Sequence, residues 1–241
     1  MSKSRGNVVT PDEYVAELGA DAVRAYLMFV APWEQGGEWN DSGISGVSRW
    51  LNRVWKLTLE PYKMKVAAAV LDRVGDEKAR RDLQRITHQA IRKVTGDLER
   101  FRFNTMIAAL MEFTNCLAKA KETGNITDSA WEETTDTLLL LLAPTAPHLA
   151  EELWQRVGHD YSIHNQSWPK WDEALAKDEE ITLVVQVNGK LRDRIAVPAS
   201  ITEAEARKLA LERQRVKAYL EGKEVIKVIY VPKRLINLVV Q

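Results

Sequence analysis

Residues 82–117 read DLQRITHQAIRKVTGDLERFRFNTMIAALMEFTNCL, and their period decides the fold. Leu83, Ile86, Ala90, Ile91 and Val94 recur at three- and four-residue spacings, the signature of one stripe along a helix. A second helix follows Asn104, with Ile107, Leu110, Met111, Thr114 and Leu117 facing inward, and Gly124 ends it. Thr127 caps a third helix that carries the leucine run 138–142. Pro144 and Pro147 break that helix, and residues 148–157 form a short last one closed by Gly158. Helices joined by such short connections pack antiparallel, so the middle of the chain is predicted to be a helical bundle.

Upstream, Thr10-Pro11-Asp12-Glu13 has the form of a helix start, with Thr10 as N-cap, Pro11 at N1 and Glu13 closing a capping box. Gly19 interrupts the pattern and Asp21 restarts it over 22–30, where Val23, Tyr26, Leu27 and Val30 share one face. Pro32 stops it. Residues 33–46, rich in Gly, Asp, Asn and Ser, read as a loop, after which Val47, Trp50, Leu51, Val54 and Trp55 mark another amphipathic helix with core tryptophans.

Downstream the period changes. Residues 159–180, with Trp168, Pro169 and Trp171, follow no clear period and read as a linker packed on the bundle. Residues 181–187 and 191–197 are β-rich runs joined by Asn188-Gly189, a strong hairpin signal. Thr202 and Glu205 form a capping box that opens a helix through Leu209 and Val216 to about Leu220, stopped by Gly222. Strands at 225–231 and 235–240 complete a ββαββ module, an α+β unit with an antiparallel sheet. Its core is small enough that docking or a partner helps it.

At 45% apolar and 28% charged residues, the 241-residue chain has the composition of a folded globular protein. It shows no apolar leader and no run long enough to span a bilayer, so a soluble protein is expected. The single cysteine, Cys116, excludes disulfides within the chain and a cysteine-rich zinc site, and fits a reducing compartment. His88, His148, His159 and His164 are unclustered at metal-ligand spacings, and His148, after Pro147, reads as a helix-start or core residue. Basic and acidic residues balance at 34 each, but residues 181–241 hold 12 basic and 6 acidic side chains. A basic terminal module on an acidic body fits a polyanionic partner, and equally fits a solvated lysine-rich face.

The amino end is a small cationic loop, Ser2-Lys3-Ser4-Arg5-Gly6-Asn7. Lys3 offers a compact ammonium, Ser2 and Ser4 offer hydroxyls, and Gly6 permits close backbone approach, a set suited to phosphates. On these residues alone a plain leader segment is the simpler reading.

Taken together, these blocks resemble the C-terminal part of class I aminoacyl-tRNA synthetases, and within that class the leucyl-tRNA synthetase family. Residues Met1 to Ser4 match the last four positions of the class's Lys-Met-Ser-Lys-Ser signature, whose first Lys is missing here. The family's Gly-Ala-Asp-Ala turn is similar to Gly19–Ala22, its Arg-Phe-Asn-Thr to Arg102–Thr105, and its Ala-Pro-His and Glu-Glu-Leu-Trp to Ala146–His148 and Glu151–Trp154. The leucyl assignment rests on Val185 to Lys190 with Arg192, on Tyr219-Leu220 and on Val228 to Pro232. Where the family commonly has Gly after that Pro, this chain has Lys233.

The resemblance implies four regions: 1–46, the signature loop and connecting helices; 47–158, a helical-bundle anticodon-binding domain; 159–180, a linker; and 181–241, a C-terminal α+β tRNA-binding domain. It implies that Lys3 binds ATP phosphates and stabilises the transition state of leucine adenylation, with Ser2 and Ser4 assisting, ATP and Mg2+ being cofactors of the full enzyme only. It implies tRNA(Leu) as partner, with Arg49, Arg53, Arg92, Arg100 and Arg102 as candidate phosphate contacts in the bundle. In the terminal module the candidates are Lys190, Arg192, Lys217, Lys223, Lys233 and Arg234. The nucleotide fold, amino-acid pocket and editing domain of the family have no counterpart in these residues, so the chain by itself is expected to be inactive, and no metal site or membrane contact is expected. A cytoplasmic monomer fits this reading. The smaller chain of a naturally split synthetase and a free-standing RNA-binding module remain open as alternatives.

Overall fold

The computed structural model describes residues 9–62, 74–123, 126–177 and 180–241. The opening loop and the helix-ending Gly124 therefore lie outside the described residues. The chain divides into two compact units, 1–176 and 177–241.

The first unit is all helical: α1 (Pro11–Leu18), α2 (Ala20–Phe29), α3 (Asp41–Leu59), α4 (Val74–Glu99), α5 (Phe103–Thr123), α6 (Asp128–Leu142) and α7 (Pro147–Arg156), followed by a 3-10 turn at Ile163–Asn165. The stripe of α4 meets the inner face of α5, burying Leu83, Ala90, Ile91 and Val94 against Ile107, Leu110, Thr114 and Leu117, while Ile86 and Met111 lie at the margin. Trp50 of α3 is fully buried and its indole N–H donates to Thr114 Oγ1 at 3.0 Å, satisfying two polar groups that would otherwise be costly in the core. The region after α7 packs here too, Trp168 donating to Thr95 Oγ1 at 2.8 Å.

Three expectations for this unit are corrected. Thr10 has the extended backbone of an N-cap and Pro11 sits in the first turn, yet Thr10 makes no side-chain capping bond, and the exposed first turn leaves its free N–H groups to solvent. Leu27 is half exposed, and the inner face of α2 is instead Ala22, Val23, Ala25 and Tyr26. The small alanines let α2 approach its neighbours closely. Finally, α3 begins at Asp41, well inside the segment read as loop. Asn40 caps it, Oδ1 accepting from the N–H groups of Ser42 (2.9 Å) and Gly43 (3.2 Å). Gly43 reads as part of that loop but is there for space: a Cβ would lie 2.8 Å from the Tyr26 ring.

The second unit is a four-stranded sheet with a broken helix: β1 (Glu180–Val187), β2 (Lys190–Pro198), α8 (Glu203–Glu212), α9 (Gln214–Lys217), β3 (Val225–Val231) and β4 (Leu235–Val240). Asn188 and Gly189 both take positive φ (50° and 77°), the two-residue turn that matches strand twist. The Thr202–Glu205 capping box is complete. Strand order is β2-β1-β4-β3, and the central pair β1/β4 is parallel, Val185 opposite Ile236 and Val187 opposite Leu238. The sheet is thus mixed, not antiparallel throughout. One helical crossover between two hairpins leaves the first and last strands running the same way, and their apolar sets, Leu183, Val185 and Val187 with Ile236, Leu238 and Val240, share one core with Ala206, Ala210 and Val216. The helix is also not continuous: Arg213 takes extended backbone (ψ 123°) between α8 and α9, and Leu209 is exposed.

Candidate nucleic-acid interface

The second unit gathers cations at one end of its sheet. In the β1/β2 ladder Val185 faces Asp193 and Gln186 faces Leu191, so Arg192 is the extra residue of a bulge on β2. The bulge lays Arg192 across Tyr219, its guanidinium carbon 3.8 Å from the ring centroid. Arg192 Nε is buried without a hydrogen-bond partner, and no described residue takes a hydrogen bond from this guanidinium. A planar donor, clamped by a ring and uncommitted inside the fold, suits a phosphate or a base edge.

Lys190 opens β2 at the same end, Lys217 closes α9 two residues before Tyr219, and Lys223 precedes β3; all three are exposed. That end is pinned by Asn188, whose Nδ2 donates to Val240 O (3.1 Å) and whose Oδ1 accepts the Val240 N–H (2.9 Å). Lys233 and Arg234 lie elsewhere. They form the β3–β4 turn, the length of β4 away, roughly 20 Å at strand rise. Four of the terminal candidates therefore lie at one end of the sheet and two at the other.

Asp193, beside the bulge, is a buried carboxylate that sequence reading did not single out. The Arg213 guanidinium donates to it at 2.9 Å and holds its carboxyl below the usual range against the opposing effect of desolvation, with the Arg194 N–H adding a smaller contribution in the same direction. Arg213 and Arg215 are thus committed partly to Asp193, at 2.9 and 4.0 Å.

The bundle candidates do not converge. Arg49 and Arg53 lie one turn apart on α3, exposed, with Arg53 donating to Asn115 Oδ1 at 3.2 Å. Arg92 is engaged by Glu173 at 2.9 Å. Arg100 and Arg102 occupy the α4–α5 turn, both exposed. Lys121 is a structural cation, its ammonium donating to the carbonyls of Leu57 (3.1 Å) and Glu60 (2.6 Å) at the end of α3. Ser2, Lys3 and Ser4 lie outside the described residues.

Two sequence blocks read separately turn out to touch. Asp21, from the Gly-Ala-Asp-Ala turn, accepts the Leu149 N–H at 2.6 Å and pairs with His148 Nδ1 at 2.8 Å. A carboxylate from α2 therefore caps the first turn of α7, where the helix dipole favours it. His148 is a helix-start residue with an exposed ring, not a core one. The pair borders a cavity of about 420 Å³ lined also by Leu51, Trp55 and Leu149. Two of the other histidines are engaged inside the fold as well: His88 accepts the Asp172 N–H at 3.1 Å and His159 meets Asp136 at 2.8 Å. Among the described residues no group of three or more His, Cys, Asp or Glu is placed to hold a metal ion, and no helix is long and apolar enough to cross a membrane.

With this geometry in place, comparison with known proteins supplies the class: the chain belongs to the family of the anticodon-binding domain of tRNA ligases, matched over residues 81–207. Within that class the similarity is to leucine--tRNA ligases. That of Dehalococcoides mccartyi is 61% identical over 241 residues, covering all of this chain and 29% of the relative, and that of Rubrobacter xylanophilus is 52% identical over 240 residues, covering all of this chain and 28% of the relative. A crystal structure of an Agrobacterium radiobacter LeuRS-tRNA-LeuAMS ternary complex is similar over the full chain, with a TM-score of 0.77 at 35% identity, this chain covering 31% of it. The chain spans less than a third of the length of these relatives and matches a C-terminal part of them.

Proposed function

We propose that this chain is the tRNA-binding portion of a leucine--tRNA ligase and that, in the second unit, the grip on tRNA centres on Arg192. The observation that carries the reading is the clamped, unpartnered guanidinium at the cationic end of the sheet, in a chain of an anticodon-binding family. Lys190, Lys217 and Lys223 supply further charge to the same backbone stretch, while Lys233 and Arg234 reach a different one. Contacts of this kind read RNA by the shape of its backbone, not by its base edges. Of the five bundle candidates, Arg53 and Arg92 are held by Asn115 and Glu173 and contribute less, Arg100 and Arg102 border the exposed ring of the α4–α5 turn, and Arg49 is left to meet phosphate.

In a complete ligase, leucine would be joined to tRNA(Leu) through leucyl-adenylate, with ATP and Mg2+. Lys3 would steady the departing pyrophosphate, where charge develops, and Ser2 and Ser4 would donate to the same phosphates. This chain matches less than a third of the length of such ligases, a C-terminal part of them. The isolated chain is accordingly proposed to bind tRNA without activating leucine.

The test is a pair of measurements on the 241-residue chain. Arg192→Ala and Tyr219→Ala should each weaken binding of tRNA(Leu) transcript severalfold or more, since a hydrogen bond to a charged group is worth about 1.5–3 kcal/mol and Tyr219 holds the guanidinium that would make it. ATP–pyrophosphate exchange should show no leucine dependence. Unchanged affinity in both variants would remove Arg192 from the interface, and leucine-dependent exchange would overturn the division of labour.

A further inference from the structure

Three aromatic rings stand in a row where α4 turns into α5. Phe103 meets Trp33 edge-on at 5.4 Å and Phe101 at 5.5 Å. Phe101 is 61% exposed and Trp33 60%. Phe101 is also badly placed for its own fold. Its N–H donates to Leu98 O (3.1 Å) and the Arg102 N–H donates to Asp97 O (2.8 Å), the two bonds of a Schellman ending, with Phe101 in the left-handed position at φ 54°. Glycine is the usual occupant there, and a bulky ring is strained. Strain and exposure both count against Phe101, and the edge of Phe103 offsets little of either. Two large rings held in water, one of them on strained backbone, fit a surface that is covered by something else.

The rim identifies the kind of cover. Arg100 and Arg102 flank Phe101 in the chain, but Glu99 ends α4 just before them and Glu34 follows Trp33, and all four are exposed. An RNA-stacking platform is bordered by cations; an aromatic centre with arginines and a rim of both signs is the anatomy of a polypeptide interface. The relatives supply a candidate, since most of their length lies outside the part this chain matches. We propose that Trp33, Phe101 and Phe103 form a seat for the remainder of a leucine--tRNA ligase polypeptide. The proposal rests on the reading of this chain as part of such a ligase.

Hydroxyl-radical footprinting tests it, applied without RNA to the 241-residue chain and to a chimera in which this chain replaces the matching portion of the Dehalococcoides mccartyi ligase. Trp33 and Phe101 should oxidise about tenfold more slowly in the chimera, as rings in an interface core do. Equal rates overturn the proposal, and so does protection that appears only when tRNA is added, which would make the cover nucleic acid. Phe101→Gly gives a second reading: it should raise Tm of the 241-residue chain by a few degrees, because strain is released, and lower it in the chimera. A rise in both contradicts the seat. Retention of tRNA by the 241-residue chain, measured separately, tests the underlying reading, so the two can fail independently.

Discussion

Lys233 shows how one side chain can be traded against backbone comfort. It sits at φ 60° in the Val231–Arg234 turn, closed by the Arg234 N–H to Val231 O at 3.1 Å, with Pro232 at the position that favours such a turn. Glycine suits that φ, so Lys233→Gly should stabilise the second unit by up to about 1 kcal/mol, the relief of strain being partly cancelled by the freer unfolded chain. Denaturant titration followed by circular dichroism reads this directly, and a loss of stability would show that the lysine makes a contact worth more than the strain. Asp193 is the opposite case, a residue whose charge holds the fold. Replacing it with Asn removes a charged hydrogen bond to Arg213 and should cost roughly 1–3 kcal/mol. The pH dependence follows from its depressed pKa: the carboxylate stabilises the fold above the unfolded value near 4, and that contribution fades as pH falls through the lower folded value. Acid titration of stability should therefore be shallower below about pH 4 in Asp193→Asn than in the parent chain.

At the level of elements, local signals were readable where the partner lies nearby in sequence. The period of α4 and α5, the Asn188-Gly189 turn and the Thr202–Glu205 box each involve residues within a few positions, and all three take the form their spacing implies. Long-range reasons were not readable. Gly43 looks like part of a loop until Tyr26 is packed on it, and Leu27 looks inward until alanines take the buried positions. The parallel pairing of β1 with β4 joins strands some fifty residues apart, and the Asp21 cap on α7 spans 128 positions, so neither leaves a local trace. The site divides similarly. The cationic candidates were visible as residue types, whereas the bulge that lays Arg192 on Tyr219, and the engagement of Arg92 by Glu173, depend on tertiary structure. Because Asp21 serves the α7 N-terminus, Asp21→Ala should destabilise the helical unit by about 1–2 kcal/mol. Asp21→Asn should recover part of this, since the amide oxygen still accepts a hydrogen bond. Thermal unfolding of both variants checks the order, and equal losses would show that the charge alone matters.

On the scale of the whole molecule, bulk charge is balanced while the second unit is basic, so the proposed attraction to RNA rests on the distribution of charge and not on its total. Each phosphate neutralised by a lysine or arginine releases counterion, and binding weakens with salt in proportion to the number of contacts. The measurement that tests the central claim most directly is the equilibrium affinity of the 241-residue chain for tRNA(Leu), titrated from low to physiological salt by filter retention. The account predicts measurable binding at low salt, with a slope of log K against log salt at least as steep as about −3 to −4, the share of the four cations at one end of the sheet alone, and shallower by about one unit in Lys190→Ala. Failure to retain tRNA(Leu) at low ionic strength, or retention that ignores salt, would contradict it.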